Sequence, residues 1–204
     1  LELMGNVSDL GLFKHRSAKD SERIEQTLQA INSAVLQLAQ RRHGALIVLR
    51  RQQLLDSYYK NGVLLDAVVT PQLLMQIFYP NTPLHDGAVI IDRNRIMAAG
   101  CVMPLSSSGV LNATVERSMG LRHRAALGIS EVSDAIAVVV SEETGTISIA
   151  HRGRLIRRLD SERLLNNMRA FMISNEVSKP QKSWLSYFKL HKPAQEEETD
   201  ETNT

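Results

Sequence analysis

Four consecutive residues, His85-Asp86-Gly87-Ala88, combine two polar side chains with two very small residues at the entrance to an apolar segment. A carboxylate in that position can bind a divalent cation and accept a proton from a hydroxyl group. Glycine and alanine allow a ligand to approach the backbone closely. Taken alone, however, Asp-Gly is a common turn dipeptide, and the same residues equally predict a simple turn.

A second polar segment, Arg122-His123-Arg124, follows Gly120 at the predicted start of a helix. Several hydrogen-bond donors at a helix N-terminus are well suited to binding phosphate oxygens. Short basic runs more often form a solvated surface, and this run taken alone does not exclude that alternative.

A third segment, Ser141-Glu142-Glu143-Thr144-Gly145, follows the most hydrophobic predicted strand and offers hydroxyl and carboxylate groups. Loops that follow a buried strand often carry function, but in isolation the segment equally predicts a β-turn. The three segments favour an active site because they occur together in one chain.

The hydrophobic pattern predicts the helices and strands that must hold these segments in place. Apolar residues at spacings of three and four predict an amphipathic helix from Ser21 to Gln40, which starts at Asp20 or Ser21 and is terminated by Gly44. The other predicted elements are strands at 45–49, 63–69, 88–91, 96–102, 135–140 and 146–150, a turn at 151–154, and helices at 72–78, 122–129 and 161–173. This mixture predicts an α/β fold with a mixed, mainly antiparallel central sheet flanked by helices.

The composition is that of a soluble globular protein, with 43% hydrophobic and 23% charged residues. A net charge of only +2 does not indicate nucleic acid as a partner. The single cysteine, Cys101, lies in an apolar run, which predicts a buried, reduced thiol and excludes an internal disulfide. The chain has neither a signal peptide nor an uninterrupted apolar stretch of about 18 residues, the length that a membrane-spanning helix needs.

The length of 204 residues predicts one globular domain with appendages. We expect a lead-in over residues 1–19, the domain over residues 20–176, and a polar, acidic, flexible tail over residues 177–204. The sequence opens with Leu1 and not with methionine, which indicates that it is a fragment of a longer protein.

Taken together, the three polar segments resemble the DGA, RHR and SEETG blocks of diadenylate cyclase domains, in the order of that family. The matching residues are 81–91, 122–131 and 140–145, and the resemblance extends from about Ser21 to Ile173. It is nearest to the membrane-anchored type, in which transmembrane helices precede the catalytic domain. The resemblance therefore implies a cytoplasmic catalytic domain in a full-length protein held in the cell membrane by helices outside this sequence.

The resemblance implies that two ATP molecules are condensed into cyclic di-AMP with release of two pyrophosphates. Each ribose 3′-hydroxyl would attack the α-phosphate of the other ATP beside a divalent metal, either Mn²⁺ or Mg²⁺, with Co²⁺ as a third candidate. Because one subunit would hold one ATP, two subunits must meet face to face as a homodimer. A regulatory protein is a further expected partner.

The resemblance also assigns roles to individual residues of this sequence. The catalytic residues would be Asp86, Arg122, His123 and Arg124, with Asp86 at the ribose hydroxyl and the other three at the triphosphate. The ATP contacts would be Gly87, Ala88, Met103, Leu121, Ser141 and Glu142, with backbone groups near Met103 at the adenine edge. The metal ligands would be His85, Asp86 and Glu143.

One position departs from the family pattern, because Leu121 stands where the family usually has threonine, and a hydroxyl contact to phosphate is lost. Three alternatives stay open. His85-Asp86 is also the dipeptide of metal phosphohydrolases, which would need histidines and aspartates spread over helices. A nucleotide-sensing module would bind ATP or a cyclic dinucleotide without turnover, and nucleic-acid binding would need a larger basic patch with interleaved aromatic residues.

Overall fold

The computed structural model describes the backbone of residues 7–106 and 119–173, and the side chains of residues 20–106 and 119–172. The acidic tail predicted over residues 177–204 lies outside these residues. The described helices are α1 (Val7–Arg41), α2 (Asp56–Tyr59), α3 (Pro71–Ile77), α4 (Leu121–Val132) and α5 (Ser161–Ile173). The described strands are β1 (Ala45–Leu49), β2 (Val63–Val68), β3 (Ala88–Asp92), β4 (Arg95–Cys101), β5 (Ile136–Val140), β6 (Ile147–His151) and β7 (Arg154–Arg157).

All seven described strands form one sheet in the order β2-β4-β3-β1-β5-β6-β7. Only β1 and β3 pair in parallel, and every other neighbouring pair is antiparallel. The predicted α/β class with a mixed, mainly antiparallel sheet is therefore confirmed. No helix in the described part of the chain has the length and apolar character needed to cross a bilayer.

The two faces of the sheet are covered by different helices, as the alternation within β1 illustrates. Ala45, Ile47 and Leu49 belong to a core that α1, α3 and α5 cover. Leu46 and Val48 belong to a second core, under α2 and α4. Since both faces are buried, the central strands consist of continuous apolar runs, which made them visible in the sequence.

Two predicted helix limits are wrong. The first helix begins at Val7 and passes through Asp20 and Ser21, which are exposed and therefore cost little inside a helix. It ends at Arg41 because Arg42 takes a left-handed conformation (φ 54°) and the His43 N–H donates to the Leu38 carbonyl at 2.9 Å.

The helix predicted over residues 122–129 continues to Val132. Gly128 lies inside this helix, where α4 touches the segment before the undescribed residues 107–118. A Cβ atom on Gly128 would lie 2.1 Å from the Pro104 carbonyl oxygen. Nearby, the Ser106 N–H donates to the Arg124 carbonyl and the Ser106 hydroxyl donates to Glu131 at 2.6 Å.

Strand β7 and the single turn of α2 were not predicted. The predicted turn at 151–154 is shorter in the structure, where Arg152 and Gly153 alone reverse the chain with positive φ angles of 52° and 69°. Such two-residue loops connect antiparallel strands directly. Cys101 is buried as expected, and burial raises the pKa of its thiol to about 11.

The strand register brings several chain segments to one end of the sheet. Pairing of Ile47 with Val89 places the starts of the parallel strands β1 and β3 within one residue of each other. Pairing of Ala45 with Val140, and of Val140 with Ile147, adds the last residue of β5 and the first residue of β6 to the same end. The segments that precede β3 and follow β5 are thus neighbours in space, although they are far apart in sequence.

Candidate active site

A cavity of about 910 Å³ opens at this end of the sheet. That volume lies within the range of roughly 300–1,000 Å³ that small-molecule sites occupy. Eight of the predicted site residues line it: His85, Asp86, Leu121, Arg122, His123, Ser141, Glu142 and Glu143. The three polar segments singled out in the sequence therefore form one site.

Four predicted residues are not part of the described lining: Gly87, Ala88, Met103 and Arg124. Ala88 and Met103 are buried in the core beneath α4. Gly87 has a φ of 134°, and a Cβ atom there would lie 2.6 Å from the Gly100 carbonyl carbon. Close packing between chain segments therefore already requires glycine at this position.

Arg122 connects the three segments physically. Its Nη1 atom lies 2.6 Å from Glu142 Oε2, and its Nη2 atom donates to the His85 carbonyl at 3.2 Å. Its buried Nε atom has no hydrogen-bond partner among the described residues. The guanidinium group is thus held at the start of α4 with its buried Nε–H group unpaired among the described residues.

Gly44 makes room for this ion pair, a role that the sequence did not reveal. A Cβ atom on Gly44 would lie 2.8 Å from Arg122 Nη1 and 2.9 Å from Glu142 Oε2. The expectation that Gly44 terminates the first helix is wrong, because Arg42 does so. A lone glycine between a helix and a strand usually indicates a helix end. Nothing in the sequence therefore indicated that Gly44 contacts the site.

His123 faces the interior of the cavity. Its Nε2 atom lies 3.4 Å from the hydroxyl of Ser148, a fully buried residue of β6. Burial lowers the pKa of His123 below its usual value, and the charge of Arg157 lowers it further. At neutral pH the ring is therefore mostly uncharged, and it can offer a phosphate a hydrogen bond but little charge.

His85 is held in one tautomer. Its Nδ1 atom lies 2.5 Å from the Thr82 carbonyl oxygen, which can only accept a hydrogen bond. Nδ1 therefore carries the proton, and Nε2 keeps the lone pair that a metal ligand needs. Asp86, the next residue, is exposed at the cavity wall.

The described residues contain no group of three His, Cys, Asp or Glu side chains close enough to hold a metal ion. His85, Asp86 and Glu143 are therefore not a preformed cage. Mg²⁺ and similar ions are commonly held by one or two protein ligands together with substrate phosphates. The tautomer of His85 and the neighbouring Asp86 carboxylate fit that arrangement.

The third polar segment is a turn that also carries cavity residues. The Gly145 N–H donates to the Ser141 carbonyl at 2.9 Å, and the Thr144 N–H donates to the Ser141 hydroxyl at 3.3 Å. Gly145 has a φ of 69°, and a Cβ atom there would lie 2.5 Å from the Ala39 carbonyl oxygen of α1. The turn is thus fixed against the end of α1.

The sequence profile described as "DAC: DisA bacterial checkpoint controller nucleotide-binding" matches residues 32–155, more than half of the chain. The chain belongs to this DAC family. All the site segments described above fall within the matched region.

Curated relatives of this DAC domain include the Cyclic di-AMP synthase CdaA of Bacillus subtilis, which is 43% identical over 85% of this chain and 63% of the relative. The Diadenylate cyclase of Listeria monocytogenes serotype 1/2a is 41% identical over 88% of this chain and 63% of the relative. The chain therefore spans slightly less than two thirds of the length of these relatives.

Solved structures with the same fold include a double mutant of DacA from Staphylococcus aureus. It has a TM-score of 0.69 and 42% identity, and the match covers 76% of this chain and 99% of that one. A hypothetical membrane spanning protein from Bacillus cereus has a TM-score of 0.60 and 45% identity, over 65% of this chain and 63% of that one.

Several residues that line the DAC cavity were not among the predicted site residues. Gly120 and Thr144 were named only as neighbours or members of the polar segments, and the others are Met119, Val140, Thr146, Ser148, Arg157 and Arg158. Ser148 gave a weak signal as a polar residue inside an apolar strand. Arg157 and Arg158 gave none, because basic residues beside a turn usually lie in solvent.

Proposed function

We propose that this DAC domain is a diadenylate cyclase that joins two ATP molecules into cyclic di-AMP and releases two pyrophosphates. The observation that carries the proposal is the Arg122 contact network, which unites a basic helix start, a His-Asp pair and a carboxylate turn around one cavity. The names of the Bacillus and Listeria relatives, a cyclic di-AMP synthase and a diadenylate cyclase, support the same activity.

The start of α4 is the proposed binding site for the triphosphate. Gly120 caps this twelve-residue helix without a side-chain hydrogen bond, and its carbonyl accepts from the His123 and Arg124 N–H groups. The N–H groups of Leu121 and Arg122 at the first turn, together with the Arg122 guanidinium, suit phosphate oxygens. Backbone donors of this kind do not depend on the threonine hydroxyl that Leu121 replaces.

The exposed carboxylate of Asp86 is the proposed acceptor for the proton of the 3′-hydroxyl. As that proton leaves, the 3′-oxygen forms a bond to the α-phosphorus of the other ATP, and the bond from this phosphorus to the β-phosphate oxygen breaks. A divalent ion held by His85, Asp86 and Glu143 would, when bound, neutralise phosphate charge and stabilise the leaving pyrophosphate. Mn²⁺, Mg²⁺ and Co²⁺ are the candidates.

The reaction needs two active sites facing each other, since one cavity supplies one ATP and the attack joins two. We therefore propose a homodimer in which the cavities meet across a twofold axis. Leu121 supports this arrangement, because it lines the cavity yet leaves 68% of its surface exposed. Contact with a second copy would cover it.

We also propose that the intact protein is anchored in the cell membrane by a segment outside this sequence, with the DAC domain in the cytoplasm. The description of the Bacillus cereus protein as membrane spanning supports this location. A regulatory protein would then meet the domain at the membrane.

Incubation of the protein with ATP and Mn²⁺ or Mg²⁺, followed by mass spectrometry, tests the proposed activity. We expect cyclic di-AMP from the wild type and none from Asp86→Asn, because the amide cannot accept the proton. Asp56→Asn is the matched control, since Asp56 is an exposed carboxylate on α2 away from the cavity. ATP binding without cyclic di-AMP would favour the sensing module instead.

A further inference from the structure

Two arginines at the end of β7 line the cavity from the side opposite to the His85-Asp86 pair. We propose that Arg157 and Arg158 bind the β- and γ-phosphates of ATP and thus hold the pyrophosphate as it leaves. This inference rests on the proposed function, because it assigns the leaving-group side of the same site.

The register of β6 and β7 directs Arg157 to the cavity. Arg157 pairs with Ser148 in the antiparallel ladder, and directly opposite residues place their side chains on the same face of a sheet. Ser148 lies beside His123 on that face, 3.4 Å from its Nε2 atom. Arg157 therefore lies next to Ser148 and His123, which both line the cavity.

Arg158 reaches the same cavity because the backbone leaves the strand conformation there. Successive side chains of a regular strand point to opposite faces, which would turn Arg158 away from Arg157. Arg158 instead has a φ of 57°, in the left-handed region that non-glycine residues rarely adopt. The next residue, Leu159, is buried, and its N–H donates to the Ile147 carbonyl at 3.0 Å. The chain is thus fixed in a form that places both arginines along the cavity.

The charge of the cavity also requires these arginines. Its described lining has three carboxylates and three arginines, and Arg122 is already paired with Glu142. Without Arg157 and Arg158 the described lining would carry a net charge of −2 and repel a triphosphate. Neither arginine forms an ion pair within the part of the chain that the structure describes.

The order of the strands places the His85-Asp86 pair and the two arginines on opposite sides of the cavity. Four strand spacings lie between β3, which follows Asp86, and β7, and this corresponds to roughly 19 Å at about 4.8 Å per strand. In a single bound ATP the ribose and the γ-phosphate lie at opposite ends of the molecule. Because Asp86 is assigned to the ribose 3′-hydroxyl of the ATP in its own cavity, the β- and γ-phosphates of that ATP belong on the far side of the cavity, where Arg157 and Arg158 lie.

Binding of three ligands to Arg157→Gln and Arg158→Gln by calorimetry tests the inference. ATP and pyrophosphate carry the phosphates in question, whereas AMP lacks the β- and γ-phosphates. We expect each substitution to weaken binding of ATP and pyrophosphate about tenfold, as loss of a charge-assisted hydrogen bond does. Binding of AMP should stay within about twofold of the wild type, which excludes general misfolding as the cause.

Arg154→Gln is the matched control, because Arg154 is an exposed arginine on the same strand that does not line the cavity. Its ATP and pyrophosphate affinities should equal those of the wild type, and Arg157→Lys should recover part of the loss. ATP affinity of Arg157→Gln and Arg158→Gln equal to that of Arg154→Gln would overturn the inference. So would an equal loss of AMP binding.

The binding measurements keep this inference separate from the proposed function. A wild type that binds ATP through both arginines but makes no cyclic di-AMP would retain the inference and refute the cyclase. A wild type that makes cyclic di-AMP while both variants retain full ATP and pyrophosphate affinity would retain the cyclase and refute the inference.

Discussion

The geometry around Arg122 depends on the absence of a Cβ atom at Gly44. The ion pair with Glu142 fits because residue 44 has no side chain. Burial also affects two histidines: His123 is half-buried in the cavity wall, whereas His151 is buried at the other end of β6 and stacks on Phe171 with ring centroids 4.7 Å apart. At this scale two predictions follow from contact distances and protonation.

The first prediction concerns Gly44→Ala. The added methyl group would lie 2.8 Å from Arg122 Nη1 and 2.9 Å from Glu142 Oε2 and would separate them. We expect a loss of about 1–3 kcal/mol in the free energy of unfolding, the usual cost of overpacking, together with weaker ATP binding. Urea unfolding and calorimetry measure the two effects.

Gly120→Ala is the control for Gly44→Ala, because a Cβ atom on Gly120 meets nothing within 4 Å among the described residues. Because Gly120 is the N-cap of α4 and alanine is a poorer N-cap than glycine, the stability of Gly120→Ala should fall by less than about 1 kcal/mol, with the ion pair intact. Equal stability and ATP affinity in Gly44→Ala and the wild type would contradict the assigned role of Gly44.

The second prediction concerns pH. Burial lowers the pKa of both His123 and His151. In the unfolded chain these rings take up protons near pH 6.5, so the unfolded state binds more protons than the folded state below that pH. The free energy of unfolding should therefore be highest above pH 6.5. It should fall as the pH drops toward the lowered pKa values that the two histidines have in the folded state. The slope cannot exceed about 1.4 kcal/mol per pH unit for each histidine.

Urea unfolding between pH 7.5 and 5.5 measures this slope, and His151→Gln should make it shallower. Glu25, whose pKa is lowered chiefly by its hydrogen bond from Arg169, affects stability only at more acidic pH. A stability that stays level or rises on acidification, or an unchanged slope in His151→Gln, would be inconsistent with the two buried rings.

Helix α4 is the element that carries the basic residues into the cavity, and its position depends on a close contact with the chain at Pro104. Alanine is about 1 kcal/mol better than glycine inside a helix, so helix propensity alone predicts that Gly128→Ala stabilises the protein. A Cβ atom 2.1 Å from the Pro104 carbonyl oxygen reverses that sign.

We therefore expect Gly128→Ala to lower the free energy of unfolding by about 1–3 kcal/mol, as overpacked sites do. Val132→Ala on the same helix is the control, because Val132 is 59% exposed, and it should change stability by about 0.5 kcal/mol or less. Denaturant unfolding compares the two variants, and a more stable Gly128→Ala would refute the close contact.

Elements were predictable from the sequence where burial imposes a pattern. The apolar runs of β1 and β5 and the spaced apolar residues of α5 were all identified correctly. Strand β7 was missed because it is an edge strand with arginine at both ends and only partly buried residues between them. The sequence contained the three polar segments, but only strand register, which depends on tertiary pairing, could place them together.

At the scale of the whole molecule, the proposed reaction needs more than one chain. In the proposed reaction each chain would bind one ATP in the cavity described above, whereas cyclic di-AMP contains two nucleotides. The site residues Gly44, Ser148, Arg157 and Arg158 escaped prediction for a related reason, since their roles depend on neighbours that are remote in sequence. The proposed dimer depends in the same way on residues of a second chain, which one sequence does not place.

The prediction at this scale is that specific activity falls on dilution, because the active pair dissociates. Activity per subunit should be proportional to the dimer fraction measured by analytical ultracentrifugation at the same concentrations. Leu121→Glu should shift the fall to higher concentration, because Leu121 is the exposed apolar residue of the cavity wall. Constant activity at concentrations where the protein is monomeric would exclude the paired mechanism.

The ion pair between Arg122 and Glu142 gives the cavity its own counter-ion. Glu142 is 64% exposed in its side chain, so it can turn into water when a phosphate group replaces it on Arg122. In the proposed ATP complex the affinity would then be the difference between two ion pairs and not the full strength of one. The same carboxylate can return to Arg122 after the reaction, and the exchange would help the phosphate products to leave.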